Sequence, residues 1–379
     1  MPAPAAVVGV ATPIDQPAVM LAAALSVPTI NIVFHEDGLS AAIGGALESL
    51  YQNLYSSLPH LQAFGQSGSV HAYTCSEDGH VCTILLFQLC GRHVVVLNHV
   101  IFLSAGEIQR FAGALFERYP RVSMISFHTI ETGLQRLQYP FYRYNVSENV
   151  ILALPESTEA YLATLGKNTR KNMRYYLNRV KSHFPSFQYV LREREQVGAA
   201  EVLAILALKY GQGERSKHPN ATTPSARATL DLVRQRGMVG MIYIDGRLCA
   251  GSVGYRIGGN SFGGVLAHDP QFDEYSVGML CCFLTVCEAI TLGCREYHFL
   301  WGRDPFKFRL RGELHALDDV QVYRDRRSRL LHLPKIFSAV VTDYRRRLVL
   351  YAGDGGIRVF LLRAWRAARE CLRRLTGKT

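Results

Sequence analysis

The chain has 379 residues, 48% of them hydrophobic and 19% charged, with a net charge of +11. That length holds two domains, and that balance excludes a disordered or collagen-like chain. The charge is local: Arg324 to Thr379 carries 15 Lys and Arg against 4 Asp and Glu, while residues 1–323 balance at 27 against 27.

Residues 1–28 are rich in Ala, Val and Pro, with Asp15 their only charge. A signal peptide needs a basic start, and the first Lys or Arg of the chain is Arg92. The apolar run from Ala18 to Phe34 is short and broken by Pro28, so a membrane span is not expected. A flexible leader and then a strand at TINIVF is the reading. From Ser40 to Leu58 one helix is predicted, with Ala46, Leu47, Leu50, Tyr51, Leu54 and Tyr55 on its apolar face. Strands follow at VHAYTC, VCTILLFQLC and HVVVLNHV, the first two joined by the hairpin loop SEDGH. Ser104 caps a helix from Ala105 to Tyr119 with Glu107 in its first turn, and the strand RVSMISFHTI comes next. His99 and His128 sit within apolar strands and read as satisfied core or cleft histidines.

The stretch FYRYNVSENVILALPESTEAYLATL reads as a linker, with Pro155 ending a short strand and Ser157 or Thr158 capping the next helix. That helix carries Lys167, Arg170, Lys171, Arg174 and Arg179. Its basic face is either solvated or the border of a phosphate-bearing ligand. A strand at SFQYVLRE and a helix from Val197 to Tyr210 lead into GQGERSKHPNATTPSARATL, a polar segment that reads as a mobile loop.

The stretch from Val239 to Leu310 has the densest pattern. Asp245-Gly246 makes a hairpin turn, and Gly258-Gly259-Asn260 a second one before the strand SFGGVLAH. A helix then repeats Met279, Cys282, Phe283, Val286, Cys287 and Ile290 at helical spacing, Gly293 stands at its C-terminal end, and the strand REYHFLW follows. At the strand-to-helix junction, Tyr275-Ser276-Val277-Gly278-Met279, backbone N–H groups and the positive helix end form a site for an anion, a phosphate above all. The other reading is Ser276 as an N-cap and Gly278 as a packing glycine.

In order and spacing this stretch resembles a GNAT acyltransferase, and more narrowly the CelD/BcsL-type family allied to the FemAB ligases. The family's three motifs read here as LGKNTRKNMR (Leu165 to Arg174), Tyr275-Ser276-Val277-Gly278 and Gly302-Arg303-Asp304-Pro305-Phe306-Lys307. Val277 stands where proline is usual and Phe306 where tyrosine is usual, so no proton transfer is assigned to position 306. The resemblance implies an α/β fold with a mixed sheet, a GNAT fold in two tandem halves. The expected divisions are a leader (1–28), a degenerate half (29–150), a catalytic half (151–325) and a basic tail (326–379). It implies acyl transfer from acyl-coenzyme A to an amine of a small-molecule or polysaccharide-related acceptor, by direct attack. Tyr275, Ser276, Val277, Gly278 and Met279 would hold the pyrophosphate, with Arg170 and Arg174 bordering it. Asp304 would be the base, with Glu274 and His268 behind it, and Lys307 would bind the acceptor's carboxylate or the donor. The polar segment after Tyr210 would lie on the acceptor side.

Asp304 and Lys307 also read as a plain turn pair. Two other functions stay open: a FemAB-like ligase fed by charged tRNA, and a non-catalytic binding module. No metal is expected, because 13 His and nine Cys show no ligand spacing, and the cysteines, with no CxxC pair, read as reduced thiols of a cytoplasmic protein. In the tail, residues 357–379 interleave arginines with Phe360, Trp365 and leucines, a pattern suited to an anionic membrane surface. Nucleic acid is a partner only in the tRNA reading.

Overall fold

The computed structural model describes residues 29–36, 39–64, 69–211 and 226–352. The first half runs β1 (Ile30–His35), α1 (Ala41–Tyr51), α2 (Leu58–Ala63), β2 (His71–Glu77), β3 (His80–Cys90), β4 (His93–Val96), α3 (Ala105–Arg118) and β5 (Met124–Ile130). Then come β6 (Phe141–Ala153), α4 (Thr158–Thr164) and α5 (Lys167–His183). The second half runs β7 (Gln188–Glu193), α6 (Ala199–Gly211), α7 (Ala226–Arg236), β8 (Gly237–Ile244), β9 (Arg247–Ile257), β10 (Asn260–His268), α8 (Val277–Thr291), β11 (Glu296–Leu300), α9 (Pro305–Arg309) and β12 (Glu313–Tyr323). Two helices close the described chain, α10 (Arg326–Leu331) and α11 (Leu333–Ala352).

All twelve strands join one mixed sheet in the order β1-β2-β3-β4-β5-β12-β6-β11-β10-β9-β8-β7. The halves repeat each other from the sheet's two edges inward. In each, a hairpin turns on an Asp-Gly pair with positive φ at both residues, Asp78-Gly79 and Asp245-Gly246. Each also has one parallel pair, β4 with β5 and β10 with β11, bridged by a buried helix, α3 or α8. At the centre the last strands are exchanged. β12 pairs with β5 of the first half, and β6 pairs with β11 of the second.

Several expectations change. The predicted helix from Ser40 to Leu58 breaks at Gln52, which is left-handed at φ 45°, and α2 starts afresh at Leu58 with Pro59 in its first turn. An unbroken helix would drive the Pro59 ring into the preceding turn. The stretch read as a linker is β6, thirteen residues at the centre of the sheet, and the division expected after residue 150 falls inside it. The sequence ARATL, read as loop, opens α7. The remainder of that polar segment, residues 212–225, lies outside the described residues, as do 1–28 and the tail 357–379.

Candidate active site

β10 and β11 pair over three residues only, from Asn260–Glu296 to Phe262–His298. A bulge between Gly263 and Val265 then turns β10 aside, and no further backbone bond joins the two strands among the described residues. Parallel strands that part in this way leave an open notch, and the extra residue of a bulge has no partner across the ladder. The equivalent strands of the first half part after Val95–Ser126 but rejoin. Val100 N–H donates to Thr129 at 2.8 Å, Glu131 N–H to Ile101 at 2.9 Å and Leu103 N–H to Glu131 at 2.9 Å. The chain therefore has two strand pairs of the same kind, and the one in the second half is open.

The two helix N-termini differ in the same sense. At α3 the expected cap is present and reciprocal: Ser104 accepts from Glu107 N–H, and Glu107 accepts from Ser104 N–H at 2.8 Å. A carboxylate already occupies that positive end. At α8, Ser276 is left-handed (φ 49°) and its side chain caps nothing, so its reading as an N-cap is corrected. No acidic residue stands in the first turn. The Leu280 N–H bonds Ser276, which leaves the N–H groups of Val277, Gly278 and Met279 for a ligand. Tyr275 and Val277 turn their side chains into the core, so their contribution to such a ligand is through the backbone.

Gly278 has a use that the sequence did not show. A Cβ there would lie 2.7 Å from Nδ1 of His268, so the glycine admits this imidazole against the helix end. His268 in turn bonds Asp273 through Nε2 at 2.8 Å. The turn before α8 is gripped by α5. Arg179 bonds Glu274 at 2.5 Å and lies over the Tyr275 ring, 4.9 Å from its centre, and His183 Nδ1 meets the Tyr275 hydroxyl at 2.9 Å. The basic helix thus borders the α8 N-terminus through Arg179. Arg170 is half-buried and Arg174 exposed, and neither has an ion pair among the described residues.

The segment after β11 is arranged differently from expectation. Lys307 is only 5% exposed, and its ammonium donates to the carbonyls of Trp301 and Gly302, the latter at 3.2 Å. Burial pushes its pKa down, and Asp304 at 3.3 Å pulls it back up. The Asp304 side chain is 43% exposed and makes no capping bond to α9. Arg303, next to Asp304 in the motif, bonds Glu148 of β6 at 2.7 Å. A carboxylate 8% exposed needs a cation more than a surface aspartate does.

Several side chains around the notch gave no sign of a site in the sequence. His298 is the last paired residue of β11; it stacks on Phe262 with ring centres 4.3 Å apart. Asn149 donates to its Nδ1 at 3.1 Å, so Nε2 carries the proton toward Glu296 at 3.0 Å. That bond is the main cause of the lowered Glu296 pKa. Trp301, 40% exposed, meets Tyr55 at 5.2 Å, and Tyr55 meets His60 of α2 at 4.9 Å. In sequence each reads as an ordinary apolar or strand residue. His99 and His128 are satisfied as expected, by Thr129 at 2.8 Å and Asp319 at 2.9 Å. Among the described residues no group of His, Cys, Asp or Glu is arranged to hold a metal ion, and no helix is long and apolar enough to cross a membrane.

Residues 167–308 match the family of acetyltransferase (GNAT) domains. The match covers α5 through α9 and so contains the open notch, the α8 N-terminus and Asp304. The crystal structure of FemX is similar in fold, with a TM-score of 0.56 at 10% identity, over 78% of this chain and 98% of that one. L-PGS from Bacillus licheniformis aligns over 82% of this chain and 98% of its own, at 13% identity and a TM-score of 0.46. A conserved protein of unknown function from Bacteroides thetaiotaomicron aligns over 76% and 92%, at 12% identity and a TM-score of 0.45. No curated protein matches the chain. The GNAT fold expected from the sequence is the fold observed.

Proposed function

We propose that the protein is an N-acyltransferase that moves an acyl group from acyl-coenzyme A to an amine, in the manner of the CelD/BcsL-type family. The observation that carries this reading is the contrast between the halves: an open notch beside an uncapped, acid-free helix end in one, and a rejoined notch beside a carboxylate-capped helix in the other. The donor pyrophosphate would accept from the N–H groups at 277–279, with Arg179 at that helix end and Arg170 and Arg174 further along α5. Its thioester would lie in the notch, where the unpaired backbone at the β10 bulge offers a donor to the carbonyl oxygen.

The acceptor amine attacks the thioester carbon, the coenzyme thiolate leaves, and one proton must pass from the new ammonium to a base. Asp304 suits that role better than Glu274, which Arg179 holds, or His268, which is packed on Gly278. Lys307 fits a different task, keeping the loop at Trp301–Gly302 in place. An acceptor related to cell-envelope polysaccharide remains part of this reading. A FemAB-like ligase fed by charged tRNA is the second reading, favoured by the tandem sheet shared with FemX.

Calorimetric titration with coenzyme A tests the donor. The intact protein should bind it, and Gly278→Asp should weaken binding tenfold or more, about 1.4 kcal/mol. Gly278→Ala is the control, because it displaces His268 without adding charge. Absence of coenzyme A binding by the folded wild type, together with salt-sensitive retention of tRNA, would move the assignment to the ligase.

A further inference from the structure

Between Leu333 and Tyr344, α11 turns most of its larger apolar side chains away from the protein. Its inward face offers Ile336, packed on Met124, Tyr323 and Tyr142, and then Ala339 and Asp343. Outward, Leu330, Leu333, Phe337, Val341 and Tyr344 recur at intervals of three and four residues across α10 and α11. All are exposed, Phe337 at 72% and Tyr344 at 65%. A helix that meets only water directs such a stripe to the core. α11 displays its part, from Leu333 to Tyr344, over about 17 Å.

The charges around the stripe are mainly positive. From Arg324 to Ala352 the sequence holds eight Lys and Arg and two Asp. Asp325 is engaged as the α10 cap, accepting from Ser328 N–H at 2.7 Å, and Asp343 is buried. Arg326, Arg327 and Arg329 are exposed. A helix face with aliphatic and aromatic side chains and a mainly basic border needs no shaped partner, only a deformable apolar layer beneath negative charge.

We infer that the outward face of α10 and α11, from Leu330 to Tyr344, docks on an anionic lipid surface. Leu333, Phe337 and Tyr344 enter the headgroup boundary, and Arg326, Arg327 and Arg329 meet lipid phosphates. The inference does not depend on the acyltransferase reading, although it bears on it. Arg346 of α11 and Arg303, the residue before Asp304, share the carboxylate of Glu148, so one side chain links the lipid-facing helix to the loop that carries the candidate base.

Sedimentation of the full chain with vesicles tests it. Binding should be strong to phosphatidylcholine containing phosphatidylglycerol, weak to phosphatidylcholine alone, and should fall as salt rises. Phe337→Asp with Tyr344→Asp should reduce binding at least tenfold, with unchanged circular dichroism. Because residues 357–379 are basic as well and hold Trp365, Phe337→Trp in a chain also carrying Trp301→Phe and Trp365→Phe supplies the local readout: its emission should shift to the blue only when anionic vesicles are added. Wild-type binding by the double variant would overturn the proposal. So would Phe337→Trp emission already blue-shifted without lipid, which would mean that the face is covered by a second copy or by residues 353–379; the mass in sedimentation equilibrium distinguishes these two.

Discussion

Lys307 sits where an ammonium is costly to bury, and its two carbonyl acceptors offset that cost. Replacing it by methionine keeps the volume but strands the carbonyls of Trp301 and Gly302. Stability should drop by about 1–3 kcal/mol, read as an earlier urea midpoint, with the acceptor KM moving only as far as the loop does. Asp304→Asn is the complementary case. Its carboxylate is exposed and caps nothing, so stability should hold while turnover falls about 100-fold and donor affinity stays constant. Equal loss of stability in both variants would reduce the pair to a structural turn. The motif GRDPFK marked the loop that holds the candidate base, yet the arrangement within it depends on Glu148, which lies 155 residues away and claims Arg303.

Among the elements, α2 and the loop after β4 bring His99 close enough to disfavour the charge of His60, and His128 does the same to His99. Burial is the larger cause, and both pKa values are lowered from 6.5 to about 4. Folded values below the unfolded one mean that the unfolded chain binds more protons between roughly pH 6.5 and 4. Stability from these groups is therefore complete above pH 6.5 and is lost as pH falls toward 4. Each contributes on the order of 3 kcal/mol, less than additively because the two interact. Urea midpoints measured at pH 7.5 and 5 should show the decline, and His60→Phe should flatten it. The sequence disclosed elements in proportion to how far their chemistry is local. The Asp-Gly hairpins and the apolar spacing of α8 need nothing beyond their own residues. β12 escaped because its buried Asp318, Asp319 and Gln321 break the apolar pattern, and the partners of the two aspartates, Arg143 and Asn145 for Asp318 and His128 for Asp319, lie on other strands. The open notch was legible only as an order of elements, since its openness rests on hydrogen bonds absent in one half and present in the other.

At the scale of the molecule, the exchange of β6 and β12 makes the halves structurally inseparable. A fragment of residues 151–325 retains β11 and β12 but lacks Phe141 to Val150 of the strand between them. It should be aggregated or molten by near-UV circular dichroism, whereas residues 29–352 should give a cooperative melt. A cooperative, monomeric 151–325 fragment would show that the exchange is dispensable.

The same exchange sets a timetable for synthesis. Ile130 at the end of β5 finds its partner in Asp318, so the inner edge of the first half stays without a neighbour until nearly the whole sheet has been translated. At about 5–20 residues per second that wait is roughly 10–40 s. Throughout it, the ribosome carries a strand with unpaired backbone groups, a template for any other nascent chain nearby. Polysomes, where such edges sit side by side, are the place where this architecture is most exposed to mispairing, and a chaperone that shields one strand edge would do more for its yield than one that shields apolar surface.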